Sequence, residues 1–450
     1  MNMRLKSILD SPCGFRYIFE KLQLQSSLSR HLLMDTPMPH KPTDIAGIYE
    51  ELREFKILFA KDGDLRSILA SLQIKLSNLR DIRNTLTRLS AAATLDDIEL
   101  FEIKNLAIIN QDVRKLLNGR LLSIDFDSLE EVLNLLDPEG LKISSFYIYD
   151  SYDDELAVLR KKMKSGSKYQ DELYYEASVI EDRVRGWLSR KIEKDVHLIS
   201  SSLEKLARTD ILLSKVLLLE ELDFTIPLLS AGANRYTGMF NPYIKEMVEK
   251  EKREFQKVSI EFETNSPLLI TGANMGGKTV VLKSLALCQY LFQFGFGVPA
   301  ACAEISPVEE VHFCIGDQQN IESGLSSFAA EITRIDAVLK SVYAGKKILA
   351  LIDEPARTTN PLEGTALVTA LIRILLDKKL LMVVTTHYNI ENAECRRIRV
   401  KGLENGKMNY SLIEETGTKP PREALRIAAS LGVDNRWLQE AENLLKEKTE

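Results

Sequence analysis

Two patterns of apolar residues divide the chain near residue 222. Up to that point the sequence is rich in leucine and charged residues, and its apolar positions recur at steps of three and four. This spacing places apolar side chains on one face of a helix, so it predicts amphipathic α-helices. The longest such stripe is predicted to lie on one long helix and comprises Ile180, Val184, Trp187, Leu188, Ile192, Val196, Ile199, Leu203 and Leu206.

Continued to Leu219, this helix would be about 60 Å long at 1.5 Å per residue, which suits a lever better than a compact domain. A partner helix over residues 152–163 is predicted to run out and join the long helix through residues 164–168. Their tip would either contact phosphates or an acidic partner, or merely hold cations that a helix C-terminus favours. Its basic residues are Arg160, Lys161, Lys162, Lys164 and Lys168.

Beyond residue 222 the pattern changes to short apolar runs. Glycine, asparagine and proline interrupt residues 224–243, and apolar runs then occupy residues 268–271, 348–352 and 380–385. Runs of this length, separated by helix-like stretches, are typical of buried parallel strands. We therefore predict an all-α domain over residues 1–222 and an α/β domain over residues 223–450 that ends in two helices.

Composition narrows the class of protein. The 450 residues are 45% hydrophobic, but no apolar run is long enough for a membrane span and no secretory signal opens the chain, so a soluble cytoplasmic protein is expected. The five cysteines have no C-x-x-C spacing, which argues against zinc and disulfides. A net charge of −6 argues against a surface that is basic throughout and leaves a local basic patch open.

Residues 268–279 carry the clearest chemical signal. They fit the pattern G-x-x-x-x-G-K-[ST] between a strand-like run and a helix-like run, which predicts a phosphate-binding loop; a chance glycine-rich turn is the alternative. Lys278 would add positive charge beside the β- and γ-phosphates of ATP, and Thr279 would offer its hydroxyl to Mg²⁺. The nucleotide-binding residues predicted here are Gly272, Ala273, Asn274, Met275, Gly276, Gly277, Lys278 and Thr279.

Two further strand ends carry candidate catalytic groups. Asp353 and Glu354 follow a buried strand, where Asp353 could hold Mg²⁺ and Glu354 could orient and deprotonate the attacking water. His387 follows the next apolar strand and could hydrogen-bond the γ-phosphate. The structural alternatives are a strand that merely ends in acidic residues and a histidine with no ligand.

A second anion site is predicted at Ser323, Gly324 and Ser326, which precede a helix-like stretch. Because the phosphate-binding loop already fills this role within one subunit, the second site is explained best as a cap on the ATP of a partner subunit in a homodimer. An ordinary helix cap by Ser326 or Ser327, with Glu331 nearby, is the alternative.

Together these motifs resemble the ATPase domain of the MutS family, a branch of the ABC-type ATPases. Residues 315–321 and 360–364 are similar to the second MutS paralogue, which does not read mismatches. The resemblance implies an α/β P-loop ABC-type ATPase domain preceded by an all-α lever domain, with Lys278, Glu354 and His387 as catalytic residues. It also places Phe240 near the adenine, where its ring would stack on the base or belong to the core.

Differences from the family pattern leave open whether the predicted helix motion acts on DNA or on a protein. No segment resembles the mismatch-reading domain, the clamp or the nuclease domain of the family, and Ala356 and Thr358 stand where the family has glycines. Family membership and the basic tip favour an ATPase that acts on DNA in repair or recombination. The missing clamp and the acidic net charge favour the alternative, an ATP-dependent protein-remodelling or reactivating chaperone with a protein client.

Overall fold

The chain divides into two compact units in a computed structural model. Unit 1 comprises Met1–Leu22, Pro37–Tyr49 and Leu218–Glu450, and unit 2 comprises Gln23–Thr36 and Glu50–Leu217. The structure describes residues 3–60, 65–117, 120, 123–143, 145–165, 170–272, 277–315, 327–388, 390, 395–404, 407–415, 425, 428 and 433–447.

The helices alternate with ten strands in the second half of the described sequence. In chain order the α-helices are α1 (Phe15–Glu20), α2 (Ser27–Asp35), α3 (Pro42–Ala60), α4 (Leu65–Ser77), α5 (Arg83–Ser90), α6 (Asp97–Leu117), α7 (Glu130–Leu136), α8 (Asp154–Lys164), α9 (Gln170–Ile192), α10 (Val196–Glu221), α11 (Pro242–Lys250), α12 (Lys278–Gln293), α13 (Ser327–Tyr343), α14 (Pro361–Leu375) and α15 (Asn435–Glu447). The strands are β1 (Leu228–Leu229), β2 (Ala233–Met239), β3 (Val258–Glu263), β4 (Leu268–Thr271), β5 (Cys302–Ile305), β6 (Glu310–Cys314), β7 (Ile348–Asp353), β8 (Leu381–Thr385), β9 (Arg396–Glu404) and β10 (Lys407–Glu414).

Unit 2 is helical, but its long apolar stripe is carried by two helices. A 3₁₀ turn at Glu193–Asp195 separates α9 from α10, so the single helix predicted from the stripe is interrupted. The stripe stays buried on both sides of the turn, at Ile192 and at Ile199, whereas Trp187 on α9 is 41% exposed. Ile180, Val184 and Leu188 are buried as predicted.

The predicted basic tip is only partly free to bind anions. Lys161, Lys162 and Lys164 are exposed in the last turn of α8. Arg160 instead pairs with Asp150 and Glu181, at 2.6 and 2.8 Å. Paired in this way, Arg160 contributes little to an electrostatic attraction at the tip. Lys168 lies outside the described residues.

Unit 1 includes two N-terminal segments that the sequence assigned to the helical domain. Tyr49 stacks on Phe292 with 5.7 Å between ring centroids, and its hydroxyl donates to the carbonyl oxygens of Phe292 and Phe296. Phe15 packs edge-on against Phe294 and Phe296. These contacts join residues more than 200 positions apart, so local periodicity could not have revealed them. The two domains predicted with a boundary at residues 222 and 223 therefore differ from the two units in these segments and in the start at Leu218.

Two sheets form the frame of unit 1. One has the order β1-β5-β2-β3, and the other has the order β10-β9-β4-β8-β7-β6. In the larger sheet β6, β7, β8, β4 and β9 are mutually parallel, and β10 pairs with β9 in the antiparallel sense. Strands β4, β7 and β8 coincide with the three apolar runs noted above, and they are buried on both faces. An α/β architecture is thus present in this part of the chain.

The larger sheet determines where the functional candidates lie. Because β4, β7 and β8 are parallel neighbours, their carboxyl ends reach the same edge. Gly272 follows β4, Glu354 follows β7, and Thr386 follows β8. Within the described ranges, no helix is both long and apolar enough to cross a lipid bilayer.

Candidate active site

A cavity of about 500 Å³ opens at this edge of the sheet. Lys278, Thr279, Asp353 and Glu354 all line it, although the last two lie more than 70 positions from the first two. The carboxyl edge of a parallel sheet is the usual position of a ligand site in α/β proteins. Gly277, another predicted nucleotide-binding residue, also lines it, so the structure brings five of the predicted site residues into one cavity.

Thr279 and Asp353 form the oxygen-rich part of the site. The Thr279 hydroxyl donates to Oδ2 of Asp353 at 2.7 Å, and the Thr385 hydroxyl donates to Oδ1 at 2.6 Å. Thr385 is fully buried at the end of β8, so it fixes the orientation of the carboxylate. One hydroxyl and one carboxylate are the hard oxygen ligands that Mg²⁺ prefers, so the residues present fit the ion.

Lys278 lies between two acceptors at the start of α12. Its ammonium group is 2.5 Å from the carbonyl oxygen of Gly272 and 3.1 Å from Oε1 of Glu354. Lys278 is only 4% exposed, so its charge requires such partners. Arg357 approaches the other oxygen of Glu354 at 3.6 Å. The Glu354 carboxylate is thus held between two cations.

Glycine is required at both ends of the phosphate-binding loop. Gly272 has a φ of +125° and Gly277 a φ of +76°, values that side-chain-bearing residues rarely adopt. A Cβ atom on Gly277 would also lie 3.1 Å from the ring of Tyr410. The predicted nucleotide-binding residues Ala273, Asn274, Met275 and Gly276 lie outside the described residues.

Part of the cavity wall is apolar, which was not anticipated from the sequence. Ile244, Val248, Phe255 and Val258 line it, together with Tyr410. A mostly apolar wall with a few polar groups suits a planar heterocycle such as a nucleobase.

Gln256 anchors the strand that carries the Tyr410 ring. Its Oε1 accepts from the Tyr410 backbone N–H at 2.9 Å, and its Nε2 donates to the Met408 carbonyl at 3.2 Å. Residues 256 and 410 meet only through the fold, so no local sequence signal marks this pair.

Phe240 does not line the cavity. It is 5% exposed and packs against Phe224, with 6.3 Å between ring centroids. The ammonium groups of Lys257 and Lys245 lie 4.8 and 5.5 Å from its ring centroid. The neighbouring Met239 contributes to the cavity wall, and stacking of Phe240 on the adenine stays a prediction.

Of the remaining site predictions, only His387 lies within the described residues. His387 is exposed after β8, with its ring centroid 4.4 Å from that of Tyr388, and is absent from the cavity wall. Ser323, Gly324 and Ser326 lie outside the described residues, which resume at Ser327 with α13.

Glu331, on the first turns of α13, does line the cavity. Burial raises the pKa of its carboxyl group, while the Ala356 N–H and the nearby Arg357 and Arg334 oppose that shift. The sequence marked Glu331 only as a neighbour of a helix cap, and its contact with the Ala356 peptide was not anticipated.

Comparisons with known proteins identify a matching domain family and several similar proteins. Residues 268–446 match the family described as MutS domain V. The chain is 31% identical over 287 residues to a protein named endonuclease MutS2 from Caldicellulosiruptor bescii, covering 60% of this chain and 34% of that protein. It is 32% identical over 273 residues to the endonuclease MutS2 of Thermus thermophilus, covering 59% and 35%.

A longer and weaker match extends the similarity upstream. The endonuclease MutS2 of Finegoldia magna is 26% identical over 387 residues, which cover 80% of this chain and 48% of that protein. The chain thus spans a third to a half of the length of these relatives. The domain match includes the phosphate-binding loop, Asp353, Glu354 and His387. Residues 268–446 therefore belong to the MutS domain V family, and the chain is similar to MutS2 proteins over part of their length.

Proposed function

We propose that this protein binds and hydrolyses ATP as a homodimer and couples the nucleotide cycle to motion of its helical unit. The observation that carries the proposal is the convergence of Lys278, Thr279, Asp353 and Glu354 on one cavity at the carboxyl edge of a parallel sheet. Membership of the MutS family supports an ATPase of this kind.

The hydrolytic step is assigned to Glu354. Its carboxylate would orient a water molecule toward the γ-phosphate and accept the proton as the new P–O bond forms. The bond between the γ-phosphorus and the β,γ-bridging oxygen would break in the same step, with ADP as the leaving group. Lys278 would exchange its present acceptors for phosphate oxygens and neutralise their charge. Mg²⁺ would be held by Thr279 and Asp353, and it would neutralise charge on the phosphates. His387 is proposed to contact the γ-phosphate.

The homodimer follows from the second anion site. Ser323, Gly324 and Ser326 of one subunit are proposed to cap the ATP held by the other subunit. ATP would then stabilise the closed pair, and hydrolysis would release it. The role proposed for α8, α9 and α10 is to amplify this two-state change into displacement at their tips.

DNA is the partner that family membership favours. The exposed Lys161, Lys162 and Lys164 would contact the phosphate backbone, which carries no sequence information and binds best at low salt. A protein client remains the second candidate. The ion pairs of Arg160 with Asp150 and Glu181 and the net charge of −6 support this candidate, because both reduce the electrostatic attraction to DNA.

ATP hydrolysis measured with and without branched and duplex DNA at low salt tests the proposal. We expect Mg²⁺-dependent turnover that DNA stimulates and that Lys278→Ala abolishes, while Lys340→Ala, a change at an exposed lysine on α13, leaves turnover intact. A rate of ATP hydrolysis that no form of DNA changes would favour the protein client. Absence of ATP binding would refute the enzyme assignment.

A further inference from the structure

The backbone N–H and the backbone carbonyl of Ala356 are both hydrogen-bonded by side chains from other elements. Its N–H donates to Oε1 of Glu331 on α13 at 2.6 Å, and its carbonyl accepts from the Tyr388 hydroxyl at 2.7 Å. Ala356 has a φ of +60°, in the left-handed region that favours glycine. These two hydrogen bonds stabilise a backbone conformation that alanine would not choose alone.

Neighbouring residues fix the position of the Tyr388 hydroxyl. The backbone N–H of Tyr388 donates to Oγ1 of Thr386 at 3.0 Å, which orients the start of the loop after β8. A Cβ atom on Gly364 of α14 would lie 2.5 Å from the hydroxyl and 2.7 Å from Cζ. Glycine at position 364 therefore makes room for the phenol. Helices α13 and α14 and the loop after β8 converge on one peptide.

Glu354 lies two residues before this peptide and shares its unusual backbone. Its φ is +46°, and its N–H donates to both the carbonyl and the hydroxyl of Thr385, at 3.1 and 2.9 Å. Only Pro355 separates the two left-handed residues, and its ring restricts the intervening φ. A shift of the Ala356 peptide would consequently turn the Glu354 side chain away from its position 3.1 Å from Lys278.

We propose that Tyr388 and Glu331 are positioning residues that clamp the Ala356 peptide and thereby aim the Glu354 carboxylate. The inference rests on the proposed function, in which Glu354 activates water. The clamp also explains how alanine is accommodated at position 356. In addition, the clamp links the loop that carries His387 to the residue proposed to take the proton.

A merely structural role for Tyr388 makes a different prediction. If the phenol only fills space, Tyr388→Phe keeps the ring and should leave catalysis unchanged. If the hydroxyl aims Glu354, the same variant should lower kcat by about five-fold, the effect of one lost neutral hydrogen bond, and leave the KM for ATP unchanged. A rate-only effect is expected of Tyr388→Phe because Tyr388, unlike Glu331, is not among the described residues that line the cavity.

Three further variants test the clamp from its other sides. Glu331→Ala should reproduce the loss, and Glu331→Gln should recover most of it, since a carboxamide oxygen still accepts from the Ala356 N–H. Gly364→Ala leaves both clamp side chains in place but occupies the space of the hydroxyl, so it should also lower kcat. Tyr343→Phe, at a 65% exposed tyrosine on α13, is the matched control and should behave as the wild type.

Amide hydrogen exchange over residues 354–358 separates this inference from the proposed function. The clamp predicts faster exchange in Tyr388→Phe and Glu331→Ala than in the wild type, whether or not ATP is turned over. Wild-type turnover with unchanged kcat and unchanged exchange in Tyr388→Phe would overturn the clamp and leave the ATPase intact. A wild type without turnover would overturn the ATPase, and the exchange rates would then decide the clamp.

Discussion

The Thr279 hydroxyl and the Asp353 carboxylate are joined by a hydrogen bond of 2.7 Å across 74 positions of sequence. Thr279 belongs to the first turn of α12, and Asp353 ends β7. Two hard oxygen ligands meet where the N-terminus of a helix also favours negative phosphate groups. This pair marks the proposed position of Mg²⁺ and of the β- and γ-phosphates.

Replacing Asp353 by asparagine should weaken the use of Mg²⁺. The amide keeps the size of the side chain but removes the charge that would attract the ion. We expect the Mg²⁺ concentration for half-maximal ATP hydrolysis to rise by about ten-fold or more. A Mg²⁺ titration of the initial rate measures the effect. Asp336→Asn, at a half-exposed position on α13, is the control, and an unshifted titration for Asp353→Asn would remove this residue from the metal site.

Glu354→Gln should separate ATP binding from hydrolysis. The carboxamide cannot accept the proton of the attacking water, so the rate should fall by about a hundred-fold or more. Affinity for ATP should change little, because the proposal assigns the phosphate contacts to Lys278 and the loop backbone. Single-turnover hydrolysis and equilibrium nucleotide binding measure the two effects. Glu204→Gln on α10 serves as the control, and equal hydrolysis by both variants would contradict the role of Glu354.

Lys215 gives a prediction about stability. It is 6% exposed on α10, and burial lowers its pKa from 10.5 to about 7, with Arg208 adding to the shift and Glu51 opposing it. Between these two pKa values the unfolded chain binds more protons than the folded one, so the free energy of unfolding should rise with pH from about 7 to about 10. Below that range the penalty is fully present.

Lys215→Met should remove this penalty at neutral pH. The thioether side chain fits a buried position without a charge, so we expect the free energy of unfolding at pH 7 to increase by about 1 to 2 kcal/mol. Urea unfolding at pH 7 and pH 9 measures both the gain and the flatter pH dependence. Lys194→Met, at an exposed lysine, should show neither. A less stable Lys215→Met variant at pH 7 would indicate that the ammonium group is stabilising.

The lysines at the end of α8 test whether DNA is the partner. Changing Lys161, Lys162 and Lys164 together to alanine should weaken DNA binding and reduce the slope of log K against log salt by about 1 to 3, since each lost phosphate contact removes about 0.9. The matched triple arginine variant keeps the charge and should bind as the wild type does. If the wild type, the alanine variant and the arginine variant bind DNA equally well at every salt concentration, these lysines are not part of the DNA interface.

The regular parts of unit 1 could be predicted because their signals are local. The apolar runs that became β4, β7 and β8 need only a short window of sequence, and burial on both faces explains their composition. Lys278 and Thr279 belong to one contiguous motif, and Asp353 and Glu354 to another. The order β4-β8-β7 then places both motifs at one edge of the sheet.

The remaining features depend on contacts between distant residues. Gln256 holds the strand of Tyr410, and Glu331 holds the Ala356 peptide, yet none of these pairs is close in sequence. The ring of Phe240 lies against Phe224, whereas its neighbour Met239 lines the cavity. Adjacent residues in an extended chain point to opposite faces, and composition does not determine which of the two faces the cavity.

The helical half shows a different limit of sequence analysis. The stripe through Ile192 and Ile199 is continuous in spacing, but the backbone tightens at Glu193–Asp195 and divides one predicted helix into α9 and α10. Apolar periodicity is insensitive to a single 3₁₀ turn, because the residues on either side remain helical.

Sedimentation of the purified chain with Mg²⁺ and a non-hydrolysable ATP analogue tests the central proposal most directly, since the account requires nucleotide to join two subunits. We predict a monomer that becomes a dimer at saturating analogue, with two nucleotides bound per dimer, and a Lys278→Ala variant that stays monomeric. A wild-type chain that remains monomeric with the analogue fully bound, or that does not bind it, would contradict the account.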